Sequence, residues 1–158
     1  MTGMRIAEAL SALGGVVGTC VVIALALVVL RRRNATIVAI GVPLAAFVTD
    51  TLLKLVFHRA RPAGALIPLP PSFSFPSGHA TVAAATYLTL GLLLSDEFAS
   101  TRAKVLCVAL SALVAVAIAG SRVYLGVHYL SDVVGGLVLG TVWALVGRWV
   151  YVTRLRPQ

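Results

Sequence analysis

Four polar residues set between two strongly apolar runs could do chemistry together: Ser121 and Arg122, then His128, then Asp132. In such surroundings ionisable side chains are costly and are retained mainly for function. Read as the start of a helix, the i, i+4 spacing puts His128 and Asp132 on one face. The carboxylate can then accept the imidazole Nδ1–H, leaving the other ring nitrogen as a free lone pair. An oriented imidazole beside an arginine suits nucleophilic attack on a phosphate. The base is activated, and the guanidinium gives the developing negative charge a planar, bidentate partner.

Two further stretches fit the same chemistry. Pro76-Ser77-Gly78-His79 reads as a helix start, because proline and serine suit the first positions and glycine lets a backbone N–H approach a ligand closely. A phosphate there would meet unpaired amide donors and the positive end of a helix dipole, with His79 beside it. A simple helix cap with an interfacial histidine is the plainer alternative. Lys54, His58 and Arg61 stand at i, i+4, i+7, so a helix would present all three on one face, with Arg59 pointing away from it. The plainer reading here is a basic belt that snorkels to lipid headgroups. Asp50, one turn before Lys54, is expected to pair with it, since an unpaired carboxylate at that depth would be expensive. His58 reads as a supporting or interfacial residue.

The elements that must position these groups are membrane helices. Of the 158 residues 59% are hydrophobic and 11% charged, against a charged fraction of about 25% in soluble domains. Apolar stretches of about 20 residues, enough to cross a bilayer, predict an all-α bundle of about five transmembrane helices near 7–30, 35–57, 78–95, 103–121 and 127–151, forming a single membrane-embedded domain. The first run is too long for the apolar region of a cleaved signal and is followed by Arg31-Arg32-Arg33, so it reads as a retained anchor. Gly136 and Gly140 have the small-residue spacing of a close helix–helix contact. With five spans, Arg31 to Arg33, Arg102, Lys104, Arg148, Arg154 and Arg156 share one side, which is then cytoplasmic, and the site sits at the outer end of the bundle. The net charge of +8 is largely topology and site charge, so nucleic acid is not an expected partner. Cys20 and Cys107 stand alone in apolar runs and read as packing residues, excluding a disulfide framework or a zinc site. The stretch 62–76, rich in proline and apolar residues, is too short and broken to span. It is expected at the interface, covering or bordering the site.

Taken together, Lys54 to Arg61-Pro62, Pro76-Ser77-Gly78-His79, and Ser121-Arg122 to His128 and Asp132 resemble, in order and spacing, the three-part signature of the type 2 phosphatidic acid phosphatase superfamily. The resemblance covers about residues 50–135 directly. It implies that His128 attacks phosphorus to form a phosphohistidine, that Asp132 holds the imidazole tautomer, and that His79 protonates the leaving oxygen and later activates water. It implies too that Lys54, Arg61, Arg122, Ser77 and the Gly78 N–H hold the phosphate oxygens. No cofactor or metal is called for, since no carboxylate cluster exists to hold magnesium and three fixed cations supply the charge stabilisation.

The implied activity is hydrolysis of a membrane lipid phosphate or diphosphate, with polyprenyl diphosphate, phosphatidylglycerophosphate and phosphatidate as candidates, in a bacterial cell membrane with the site facing outward. The alternatives are a phosphotransferase using the same intermediate with a lipid or sugar acceptor, and a non-catalytic protein that binds phosphorylated lipid. The expected partners are the lipid substrate and the bilayer. Membrane members of the superfamily typically have six helices and this sequence shows five, so a second copy is one way to complete the lipid-facing side.

Overall fold

The computed structural model describes residues 2–30 and 33–155. Arg31, Arg32 and Arg156 of the topology argument lie outside them. Helices α1 (Thr2–Gly14), α2 (Val16–Leu30), α3 (Arg33–Phe57), α4 (Gly78–Ser95), α5 (Thr101–Tyr124) and α6 (Leu130–Val150) follow one another, and α6 runs into a π-helical turn at Tyr151–Leu155. No strand occurs among the described residues. Four helical stretches are long and apolar enough to cross a membrane: α3, α4, α5, and α6 with its π turn.

The expected first span near 7–30 is instead two helices, α1 and α2, meeting at Gly15 with a bend of 62°. The two pass as a membrane span only when joined, which gives up to five crossings among the described residues when the bent pair is counted as one. The physical reason is in the composition. The α1 segment carries Arg5, Glu8 and Ser11 among its apolar residues, whereas α2 has no charged side chain. Charges are cheaper outside the hydrocarbon, and α1 lies against the end of α5 while α2 turns down beside α4 and α3. The other boundaries agree with expectation to within about three residues.

Helix α4 is the centre of the bundle, packed by α3, α5 and α6 and touched by α1 and α2. Its length is mostly small residues, and Ala80, Thr81, Ala83, Ala84, Ala85 and Thr86 are all fully buried. Small side chains let backbones approach where no hydrophobic effect drives helices together in lipid. Gly136 and Gly140 meet α4 at this contact: a Cβ on Gly136 would lie 2.7 Å from the Ser77 carbonyl, and one on Gly140 would lie 2.7 Å from the Ala84 Cβ. The expected role of these glycines in packing is therefore observed. On α5, Val105, Leu106, Leu110, Leu113 and Val116 remain exposed, the outward apolar face of an integral membrane protein.

At the far end of the bundle Arg148 grips Asp96 with two bonds of 2.7 and 2.9 Å. Both cysteines are free. Cys107 bonds weakly to the Gly91 carbonyl on α4, as a packing residue would, but Cys20 is exposed and lines a cavity rather than packing.

Candidate active site

The three stretches singled out by their spacing converge at one end of the bundle. Lys54 stands in the last turn of α3, Ser77 is the N-cap residue of α4, and Arg122 lies in the last turn of α5. His128 is in the turn before α6, and Asp132 is in the first turn of α6. Lys54, Arg61, Gly78, His79, Arg122 and His128 all line one cavity of about 550 Å³.

Lys54 pairs with Asp50 at 2.6 Å, as expected, and also donates to the Pro76 carbonyl. Asp50 accepts a further bond from Thr81 Oγ1 at 3.2 Å. The ammonium therefore keeps one of its three donors for a ligand. A Cβ on Gly78 would come within 3.2 Å of Asp50 Oδ2, so glycine is what lets the start of α4 close on this pair.

The shared helix face expected for Lys54, His58 and Arg61 does not form. Helix α3 stops at Phe57, and His58 turns the chain with φ +46°. His58 is exposed and stacks edge-on against Phe73, with ring centroids 4.5 Å apart, and does not line the cavity. Arg61 enters the cavity from the loop instead. Its Nε–H goes to the Ser72 carbonyl at 2.8 Å and its Nη2 to Ser72 Oγ and the Phe73 carbonyl at 3.0 and 3.3 Å. Its Nη1 reaches the Val127 carbonyl at 2.9 Å and His128 Nε2 at 3.0 Å. All five guanidinium donors are thus engaged, which folds the loop over the site, as the proline-rich stretch led one to expect. Burial pulls Arg61 below its usual pKa, opposed by Asp132 and Asp50.

The Arg61–His128 contact fixes the tautomer. Arginine can only donate, so His128 Nε2 carries a lone pair and the ring proton sits on Nδ1. Burial, then the Arg61 and Arg122 charges, push His128 down to about 4 against the pull of Asp132, with Lys54 adding least. The imidazole is neutral at pH 7.

His128 and Asp132 do not share a helix face, because α6 begins only at Leu130. Gly126, at φ +70°, turns the chain between α5 and α6 where a side chain would be strained. His128 Nδ1 is 3.5 Å from Asp132 Oδ2, longer than a good hydrogen bond, and equally 3.5 Å from Ser74 Oγ beside them. Ser74 Oγ donates to Asp132 Oδ2 at 2.5 Å. The same carboxylate caps α6 by accepting the Tyr129 N–H at 3.0 Å. Its other oxygen meets Arg59 Nη1 at 2.7 Å, so Arg59 points into the site and not away from it. Arg59 also covers the Tyr129 ring at 4.4 Å and bonds Ser131 Oγ.

Arg122 is the opposite of Arg61. It is buried and spends one donor on Ser11 Oγ of α1, while its Nε has no partner. Ser77 Oγ is likewise buried without a partner. Thr81 N–H is the first in α4 to find an intrahelical acceptor, at Ser77 O, so the Gly78, His79 and Ala80 amides are open donors at the helix start. His79 lies against the α1–α2 bend, where a Cβ on Gly14 would be 3.5 Å from its ring. The open donors of Lys54, Arg122, Ser77 and α4 surround a space suited to a tetrahedral oxyanion.

Spacing alone did not reveal Ser74, Arg59 or Ser11. A serine in an irregular loop has no periodicity, and Arg59 was assigned by a helical geometry that ends two residues before it. Ser11 lies in the run read as a retained anchor. Among the described residues no group of three His, Cys, Asp or Glu is placed to hold a metal ion.

The family model of the PAP2 superfamily matches residues 34–156, more than three quarters of the sequence. The chain belongs to the PAP2 superfamily. Phosphatidylglycerophosphatase B of Bacillus subtilis is 41% identical over 100 residues, covering 60% of this chain and 49% of that protein. Decaprenylphosphoryl-5-phosphoribose phosphatase of Mycobacterium tuberculosis is 35% identical over 121 residues, covering 73% of this chain and 62% of that one. This PAP2 chain thus spans 49 to 62% of the length of these curated relatives. The crystal structure of a transmembrane PAP2 type phosphatidylglycerolphosphate phosphatase from Bacillus subtilis superposes with a TM-score of 0.88 at 26% identity, covering 98% of this chain and 79% of that one.

Proposed function

We propose that this PAP2 chain is a lipid phosphatase, hydrolysing a phosphomonoester or diphosphate of a membrane lipid through a phosphohistidine on His128. The observation that supports this reading best is the shape of the cavity. Its head is cationic through Lys54, Arg61 and Arg122, beside His79 and His128, and it continues between α2 and α3 past Cys20, Ile23, Phe47 and Leu44 to Ile40. From Lys54 to Ile40 the α3 wall descends about 21 Å at 1.5 Å per residue, along an apolar lining suited to a hydrocarbon chain. The relatives named above act, by their names, on lipid phosphates with acyl or polyprenyl tails.

The reaction follows from the donors. A phosphate entering beside Arg122, Lys54 and the start of α4 takes over the Arg61 Nη1 donor, which uncovers the Nε2 lone pair of His128. Nε2 attacks phosphorus, the bond to the leaving oxygen breaks, and His79 gives that oxygen a proton. His79 then takes a proton from water, which attacks the phosphohistidine and releases inorganic phosphate and free His128. The cations neutralise the equatorial oxygens, which is most of what phosphoryl transfer asks of a protein.

The described basic residues Arg33, Arg102, Lys104, Arg148 and Arg154 lie at the end opposite the site. By the positive-inside rule this turns the site outward. The test is phosphate release by purified protein in detergent with EDTA present, from undecaprenyl diphosphate, phosphatidylglycerophosphate and phosphatidate side by side. Release that survives EDTA and is lost in His128→Ala supports the reading. No release from any of the three by folded protein contradicts it.

A further inference from the structure

Asp132 sits beside the imidazole of His128 without making a normal hydrogen bond to it. Nδ1 is 3.5 Å from Oδ2 of the carboxylate and 3.5 Å from Oγ of Ser74, so the ring proton faces two acceptors at the edge of range. The Ser74 hydroxyl is fully buried and already gives its own proton to Oδ2 at 2.5 Å. Its oxygen lone pairs are therefore free to face Nδ1–H. We propose that Ser74 is a positioning residue for the nucleophile: its hydroxyl stands beside both Asp132 and His128, aims the carboxylate, and shares in holding the Nδ1 proton.

The backbone supports this. The Ser74 N–H donates to the Arg59 carbonyl at 2.8 Å, while the Arg59 side chain takes Oδ1 of Asp132 at 2.7 Å. Two residues joined by one backbone bond grip both oxygens of the carboxylate, one with a cation and one with a hydroxyl. With Tyr129 N–H also on Oδ2, the carboxylate accepts from three donors and is held in place beside the imidazole. Neither Ser74 nor Arg59 falls at a position that the three motifs mark.

A hydroxyl that only satisfied a buried carboxylate would affect stability and leave the chemistry alone. The positioning role makes a different demand. Without the hydroxyl, Oδ2 is free to take Nδ1–H alone, which favours the imidazolium. The groups facing the ring are Arg61 from the loop, Arg122 from α5 and Lys54 from α3, all opposing protonation, and Asp132 from α6, favouring it. Strengthening the Asp132 contact therefore moves the acid limb of kcat/KM to higher pH.

The inference rests on His128 being the nucleophile, and one set of variants of the full chain in detergent separates the two. Ser74→Ala is expected to lower kcat about 10- to 100-fold with KM within about twofold, a misalignment effect, and to raise the acid limb. In an Asp132→Asn background the same substitution should cost less than about twofold, because the hydroxyl acts through the carboxylate. Ser74→Cys, which keeps the volume and weakens the donor, carries the same expectation should the alanine variant not purify. A kcat within about threefold of the parent with the acid limb unmoved overturns the inference, as does an undiminished effect in the Asp132→Asn background. If His128→Ala is inactive while Ser74→Ala behaves as the parent, only the role of Ser74 falls. If His128→Ala turns over substrate, the nucleophile reading falls as well.

Discussion

Gly136 couples helix packing directly to the candidate site. It lies one turn after Asp132, and a Cβ there would stand 2.7 Å from the Ser77 carbonyl, 3.0 Å from the Ala80 Cβ and 3.0 Å from Thr81 Oγ1. The nearest of these is backbone and cannot rotate away. Relieving it to an ordinary contact of about 3.4 Å moves the start of α4 from α6 by roughly 0.7 Å. That shift falls on the Ser77 N–H to Asp132 carbonyl bond of 3.0 Å, which ties the two segments carrying His79 and His128. A misplacement of about 1 Å can cost about 100-fold in rate, and overpacking costs about 1–3 kcal/mol in stability. Gly136→Ala should therefore lower kcat about 10- to 100-fold, read as phosphate release in detergent alongside thermal unfolding. Gly41→Ala and Gly120→Ala are the controls, because a Cβ at either position meets nothing within 4 Å. Both should keep full activity, with a small gain from helix propensity. A Gly136→Ala protein as active as these controls would show that this contact does not set the spacing of the site.

The pH dependence has a definite sign. With His128 at about 4 in the folded protein and an ordinary imidazole near 6.5, His128 stays neutral as pH falls through 6, so with His128 as the proposed nucleophile the acid limb of kcat/KM should lie near pH 4. In that window the unfolded chain binds more protons, so stability should rise with pH from about 4 to 6.5, and His128→Gln should flatten the rise in unfolding temperature. Asp50→Asn leaves the buried Lys54 ammonium without its anion and should destabilise by on the order of 3 kcal/mol while lowering kcat/KM, measured by thermal unfolding and phosphate release. A variant as stable as the parent would show that the pair contributes no net energy. For orientation, Leu66→Cys in a Cys20→Ser background should react with an impermeant thiol reagent in intact cells, since Leu66 is exposed on the loop over the site. Labelling only after lysis would reverse the topology.

The bundle was legible in the sequence because membrane helices announce themselves by length and apolarity, and α4 was placed at residues 78–95 as observed. The site was legible as a set of residues because rare charges in apolar runs have few other reasons to exist. What spacing could not show was the geometry between them. Helical periodicity was extended past Phe57 to Arg61 and back before Leu130 to His128, although the chain leaves the helix at both places. Those errors hid Arg59, which meets Asp132 only because the chain turns at His58. Ser74 and Ser11 act through contacts between segments 54 and 111 residues apart, which no local pattern encodes. The bend at Gly15 was missed because a mean apolarity over 7–30 conceals the polar residues just before it.

A phosphoryl group carried on His128 is the step on which the proposed reaction turns. Its most direct measurement is rapid acid-free quench of the enzyme with lipid substrate labelled in the terminal phosphate, followed by denaturing separation and mapping of the label. A phosphoramidate that is stable in alkali, labile in acid, located at His128 and absent from His128→Ala is the expected result. Steady turnover with no label on the protein at any quench time, together with activity retained in His128→Ala, would contradict the account.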